Sequence, residues 1–138
     1  MEETSMKLEL ATYIARWSQE RHTWGETDCM LFAVCWHDTR FGTDKKSSLY
    51  QKYNSKFEAV RFYRNFLTVE SWLQVNGYKK LTAKKPKFKD GDFIVKNQKH
   101  IDQGWLYFNG AFYTMDEERG LIRINPGVVD YDTVWRQT

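Results

Sequence analysis

Cys29 is the residue with the most chemistry to offer in this chain, because it follows Asp28 and opens the apolar run Met30-Leu31-Phe32-Ala33-Val34-Cys35-Trp36. Asp28 is a strong N-cap type, so Cys29 is expected at the first turn of a helix. A thiol there faces unpaired backbone N–H groups and the positive end of the helix dipole, and both favour thiolate. Gly25, in the turn Trp24-Gly25-Glu26-Thr27 just before, gives the backbone freedom to bend into that helix. The bland reading stands beside this one: a free cysteine in an apolar helix is usually packing, and only its place after Asp28 argues for more.

A thiol nucleophile needs a base to take its proton and a third group to hold that base in one tautomer. The chain has three histidines, His22, His37 and His100. His37 lies eight positions beyond Cys29, about 12 Å along the same helix, which removes it as a partner and leaves it near the negative end of the dipole. His22 sits in the turn before Cys29, and His100 in the connection that precedes an aromatic hairpin. A zinc site from His22, Cys29, Cys35 and His37 is set aside, because no pair has the short spacing of a finger or ribbon. No cofactor is expected.

The elements that must hold these residues are legible from pattern. Leu10, Tyr13, Ile14 and Trp17 recur at helical spacing and predict an amphipathic helix over Glu9 to Glu20, packed on the Cys29 helix. Met30 to Trp36 leaves almost no polar face, so that helix is expected to be buried on most sides, beneath a sheet. Gly42 to Ser48 reads as a loop. Leu49 to Tyr53, with Phe57, Val60, Phe62, Tyr63 and Phe66, gives a second helical zone whose aromatics are more simply core than ligand box. Val69, Trp72, Leu73 and Val75 give a third helix, stopped at Asn76-Gly77.

Six lysines with Pro86 then read as a solvated connector between Lys79 and Lys89, or as a patch for an anionic partner. From Asp90-Gly91-Asp92 onward the signals are strands: Phe93 to Val95, Trp105 to Phe108, Ala111 to Met115, Gly120 to Ile124 and Val128 to Trp135. Asn109-Gly110 between two aromatic-rich runs marks a tight hairpin. Helices first and an antiparallel sheet second make an α+β fold.

With 138 residues the chain is of one-domain size, and 41% hydrophobic with 28% charged residues excludes disorder. A net charge of +3 does not demand nucleic acid, and no glycine-rich phosphate loop accompanies the lysines. No apolar run approaches the roughly 20 residues of a membrane span. The acidic start Met1-Glu2-Glu3 is unlike a secretory signal, so synthesis in a cytoplasm is expected. Cys29 and Cys35 lie about 9 Å apart along one helix, too far for a disulfide, and are expected to be reduced.

The run Trp24-Gly25-x-x-Asp28-Cys29-x-x-Phe32, followed by Gly42 and by Gly91-Asp92 leading into an apolar strand, resembles the NlpC-like cysteine peptidases, a papain-like superfamily that cuts cell-wall peptides. The likeness is to their short phage-encoded members. It implies one NlpC-like domain over residues 1–138, helices packed on a C-terminal antiparallel sheet. It also implies Cys29 as nucleophile, His100 as base, and a virion or tail protein made in the host cytoplasm.

Counting back from Asn109-Gly110 puts the family's histidine position nearer Asp102 or Gln103, so Asp102 stays a candidate beside His100. The orienting polar position falls near Thr114. The family's aromatic residue two places before the aromatic-glycine pair is here His22, which could bond Cys29 or a substrate.

The leading expectation is hydrolysis of a peptide or amide bond in the bacterial cell wall. The rival is a pseudo-enzyme that kept the fold as an assembly component, partnered by other virion or tail proteins. A basic binding module using Lys79 to Lys89 is the third.

Overall fold

The computed structural model describes residues 2–65, 68–98 and 101–137, with side chains from residue 5 onward. Helix α1 runs Glu2–Trp17, α2 Cys29–Phe41, α3 Lys56–Asn65 and α4 Val69–Val75. The strands are β1 Tyr78–Lys80, β2 Phe93–Lys96, β3 Gln103–Phe108, β4 Ala111–Asp116, β5 Gly120–Ile124 and β6 Thr133–Gln137. They form one antiparallel sheet in the order β1-β6-β2-β3-β4-β5. The fold is α+β, with the helices before the sheet.

α1 buries Leu10, Tyr13, Ile14 and Trp17, the stripe its sequence spacing foretold. It starts seven residues earlier than the pattern suggested, because the acidic residues there suit a helix N-terminus, and it ends at Trp17, three residues short of the expected Glu20. α2 is buried from Cys29 through Val34 and again at Trp36 and His37, and it ends on Gly42 in the left-handed conformation with φ 66°.

The zone from Leu49 to Tyr53 is turn rather than helix, and a short 3-10 turn, Lys45–Ser48, precedes it. α3 begins afresh after Ser55, whose hydroxyl accepts from Glu58 N–H while the Glu58 carboxylate accepts from Asn54 N–H. That reciprocal cap is why the helix starts there. Phe66 lies outside the described residues. Thr68 caps α4, and Gly77, with φ 89°, turns the chain out of it.

Two departures concern the sheet. Tyr78–Lys80 is a strand and not the head of a lysine connector, because β6 pairs with it, Tyr78 opposite Gln137 and Lys80 opposite Trp135. The last strand starts only at Thr133, since Pro126–Val128 forms a 3-10 turn. Asn109 and Gly110 take φ 47° and 89°, the pair of positive values a type I′ hairpin needs.

The sheet alternates as strands do. Leu106, Met115, Phe93, Val95 and Trp135 join the helices in the main core, while Ile94, Trp105, Phe112 and Val134 form a smaller core on the opposite face. Phe88 and Tyr131, from the connections before β2 and β6, pack over that second face. α2 therefore lies against the middle of the sheet, over β3 and β4.

Candidate functional site

Asp28 organises the entry to α2. Its Oδ1 accepts from Leu31 N–H at 2.9 Å, and its Oδ2 accepts from Gly25 N–H at 2.9 Å and from the Tyr53 hydroxyl at 2.7 Å. The Tyr53 hydroxyl also pairs with that of Tyr63. This carboxylate is 1% exposed, and three hydrogen bonds replace its water. Burial, first of all, pushes both tyrosine hydroxyls well above their usual ionisation range, so both are neutral donors. Gly25 carries φ 83°, and a side chain on it would begin 1.9 Å from the Tyr53 carbonyl oxygen. Only glycine lets the Trp24 turn press against the Tyr53 turn, where Gln51 N–H donates to Gly25 O at 2.8 Å.

Cys29 is the first residue of α2, as its sequence position foretold, but it is 9% exposed. Burial, then the neighbouring Asp28 carboxylate, pushes its thiol up to about 12; the backbone amides of Gly104, Met30 and Cys29 itself pull the other way and do not prevail. Cys35 is also a free thiol, pushed up to about 11 chiefly by burial.

The element that meets the Cys29 sulfur is the start of β3, through Gly104. Gly104 shares the helix-facing side of β3 with Leu106 and pairs across the sheet with Val95. A side chain there would begin 2.8 Å from the Phe93 ring, which fills that space.

His22 stacks edge-on against Trp24, ring centroids 4.6 Å apart, and no hydrogen bond joins it to Cys29 among the described residues. Asp102 lies just before β3, and its carboxyl is raised, first by burial, with the Gln98 backbone amide opposing and the Asp132 carboxylate adding to the rise. It is not among the groups acting on Cys29. His100 lies outside the described residues. Thr114 is buried in β4 and donates its hydroxyl to the Gly104 carbonyl at 2.9 Å, so it braces the backbone beside the sulfur.

His37 lies four residues before the end of α2. It is buried among Phe41, Trp72 and Tyr78, with Nδ1 2.8 Å from the Tyr78 hydroxyl, and burial lowers its pKa.

Sequence reasoning missed the Asp28–Tyr53–Tyr63 chain and the facing position of Gly104. No local pattern carries either one, although the pairing register counted back from Asn109-Gly110 led to within two residues of Gly104. Among the described residues no group of three His, Cys, Asp or Glu side chains is placed to hold a metal ion, and no helix is long and apolar enough to cross a membrane.

No curated protein matches the chain. A family model does match it, over residues 2–137, so that nearly every residue discussed above falls within one shared pattern. The chain belongs to that family, described as a domain of unknown function, DUF6950.

Proposed function

We propose that this chain is a non-catalytic member of the papain-like, NlpC-like group, serving as an assembly component of a phage tail or virion. The fold group and the particle setting rest on the resemblance around Trp24-Gly25 and Asp28-Cys29, and the α+β order of helices and antiparallel sheet is compatible with them.

The observation that carries the non-catalytic reading is the Cys29 sulfur. It is buried, its proton is held to about 12, and the chain segment it meets is the glycine of β3, with the Phe93 ring where a side chain on that residue would go. A thiol held that firmly is protonated at neutral pH and is a poor nucleophile. One observation favours the hydrolase reading: Cys29 opens α2, where the free backbone N–H groups of the first turn are the kind of donors that would stabilise an oxyanion.

Two measurements decide between them. With Cys35 replaced by serine, alkylation of Cys29 by iodoacetamide is expected to run no faster than in the unfolded chain from pH 6 to 9. Purified cell wall is expected to release no soluble peptide with either the wild type or Cys29→Ala. Accelerated labelling at pH 6, together with peptide release that Cys29→Ala abolishes, would restore the hydrolase. In a particle whose genome encodes the chain, its removal should stop assembly while Cys29→Ala particles stay infectious. Normal particles without the chain would end the assembly reading.

A further inference from the structure

At the other end of α2, about 16 Å along the helix axis from Cys29, a cleft of about 710 Å³ opens between the start of α1, the last turns of α2, the loop before β2 and the end of β6. We propose that this cleft binds a small anion built on a planar ring, such as a mononucleotide or an aromatic amino acid-type carboxylate.

Charge comes first. Lys7, Arg40, Lys89 and Arg136 line the cleft against Asp90 and Asp92, a balance of two positive charges. The two carboxylates are already engaged: Asp92 takes Arg136 through both oxygens at 2.8 Å, and Asp90 takes Lys7 at 2.9 Å and the Asn109 N–H at 2.8 Å. Arg40 has only a 3.7 Å contact with Glu9 and a position over the Phe41 ring, and Lys89 makes no ion pair among the described residues. Those two cations are therefore available to a ligand. Lys84, Lys85 and Lys87, on the same connector as Lys89, are exposed.

One further group points the same way. Trp36 is 3% exposed, and its indole Nε1 lies 3.8 Å from where a side chain on Gly91 would begin. That N–H has no hydrogen-bond partner among the described residues and is not itself sealed from solvent, so it is a donor open to a ligand. Gln137 also lines the cleft, but its side-chain oxygen is sealed from solvent and its amide packs against the Gly77 turn, so it offers a ligand no acceptor.

An unused donor and two spare cations around aromatic walls that include Phe41 and Tyr107 describe a site for a flat, polar-edged anion. The lysine connector, which the Cys29 site leaves without a task, gains one here. The proposal is independent of whether Cys29 is catalytic.

Calorimetric titration of the full chain with adenosine monophosphate, para-aminobenzoate and inorganic phosphate tests it. Saturable one-to-one binding of at least one ring-bearing anion is expected, tighter than inorganic phosphate and weakening as salt is raised. Arg40→Gln and Trp36→Phe should each weaken it about tenfold, and Cys29→Ala should leave it unchanged. Tighter binding of the nucleotide assigns the head group as phosphate, and tighter binding of the aminobenzoate assigns it as carboxylate. Should Trp36→Phe fail to fold, the exposed substitution Lys89→Glu carries the same expectation. The proposal is overturned if neither ring-bearing anion gives a saturable heat, if phosphate alone binds as tightly, or if the cleft variants bind like the wild type.

Discussion

Replacing Asp28 tests whether one buried carboxylate holds the entry to α2 together. Asp28→Ala removes the acceptor of three donors: Leu31 N–H in the first helical turn, Gly25 N–H in the preceding turn, and the Tyr53 hydroxyl. Loss of the N-cap alone costs about 1 kcal/mol. Each further donor left buried without a partner costs about 1–3 kcal/mol. The Tyr53 hydroxyl can turn to Tyr63, which softens one of these losses, so the sum is about 3–5 kcal/mol.

That is a large part of the roughly 5–15 kcal/mol that holds a domain of this size. Asp28→Asn keeps one carbonyl oxygen for the cap but sets an amide N–H₂ against the Gly25 N–H and the Tyr53 hydroxyl, and should cost about 1–3 kcal/mol. Urea unfolding followed by tryptophan fluorescence reads both, with the alanine variant the less stable. If Asp28→Ala costs less than about 1 kcal/mol, or if the asparagine variant is the worse of the two, the carboxylate is not what joins the Trp24 turn, the Tyr53 turn and α2.

Gly25→Ala is expected to cost about 2–5 kcal/mol in the same assay, from a left-handed φ and a contact 1.9 Å from the Tyr53 carbonyl; a neutral result would mean the two turns are not pressed together. Gly104→Ala should cost about 1–3 kcal/mol by meeting the Phe93 ring, and in the Phe93→Leu background the added cost should shrink, a coupling that a double-mutant cycle measures. The Cys29 thiol, near 9 when unfolded and about 12 when folded, adds stability that is complete below pH 9 and lost as pH rises toward 12; wild type minus Cys29→Ser should therefore fall across that window, by no more than about 1.4 kcal/mol per pH unit. His37, whose pKa is lowered from 6.5 by burial, adds stability that is present above pH 6.5 and lost below it as the pH falls through its folded pKa, so His37→Gln should flatten the loss of stability between pH 7 and 5 seen by urea midpoint.

Local features of the sequence determined the local features of the protein. Asp28 before an apolar run starts α2, the stripe Leu10, Tyr13, Ile14 and Trp17 seats α1, and Asn109-Gly110 closes the β3–β4 hairpin, because caps, helical periodicity and turn conformations are settled within a few residues. The cap at Ser55 and Glu58 was equally local and equally readable, and it moves the start of α3 away from Leu49.

What only the tertiary structure decided is who meets whom. β6 enters between β1 and β2, which makes Tyr78–Lys80 a strand. β3 sets the backbone of Gly104 at the Cys29 sulfur. α1, α2 and the ends of β3 and β6 gather their spare donors and cations into a cleft far from that thiol. Strand pairing and burial are chosen by the whole chain at once, since a one-residue change of register turns every side chain to the other face, and nothing within a short window of sequence records that choice.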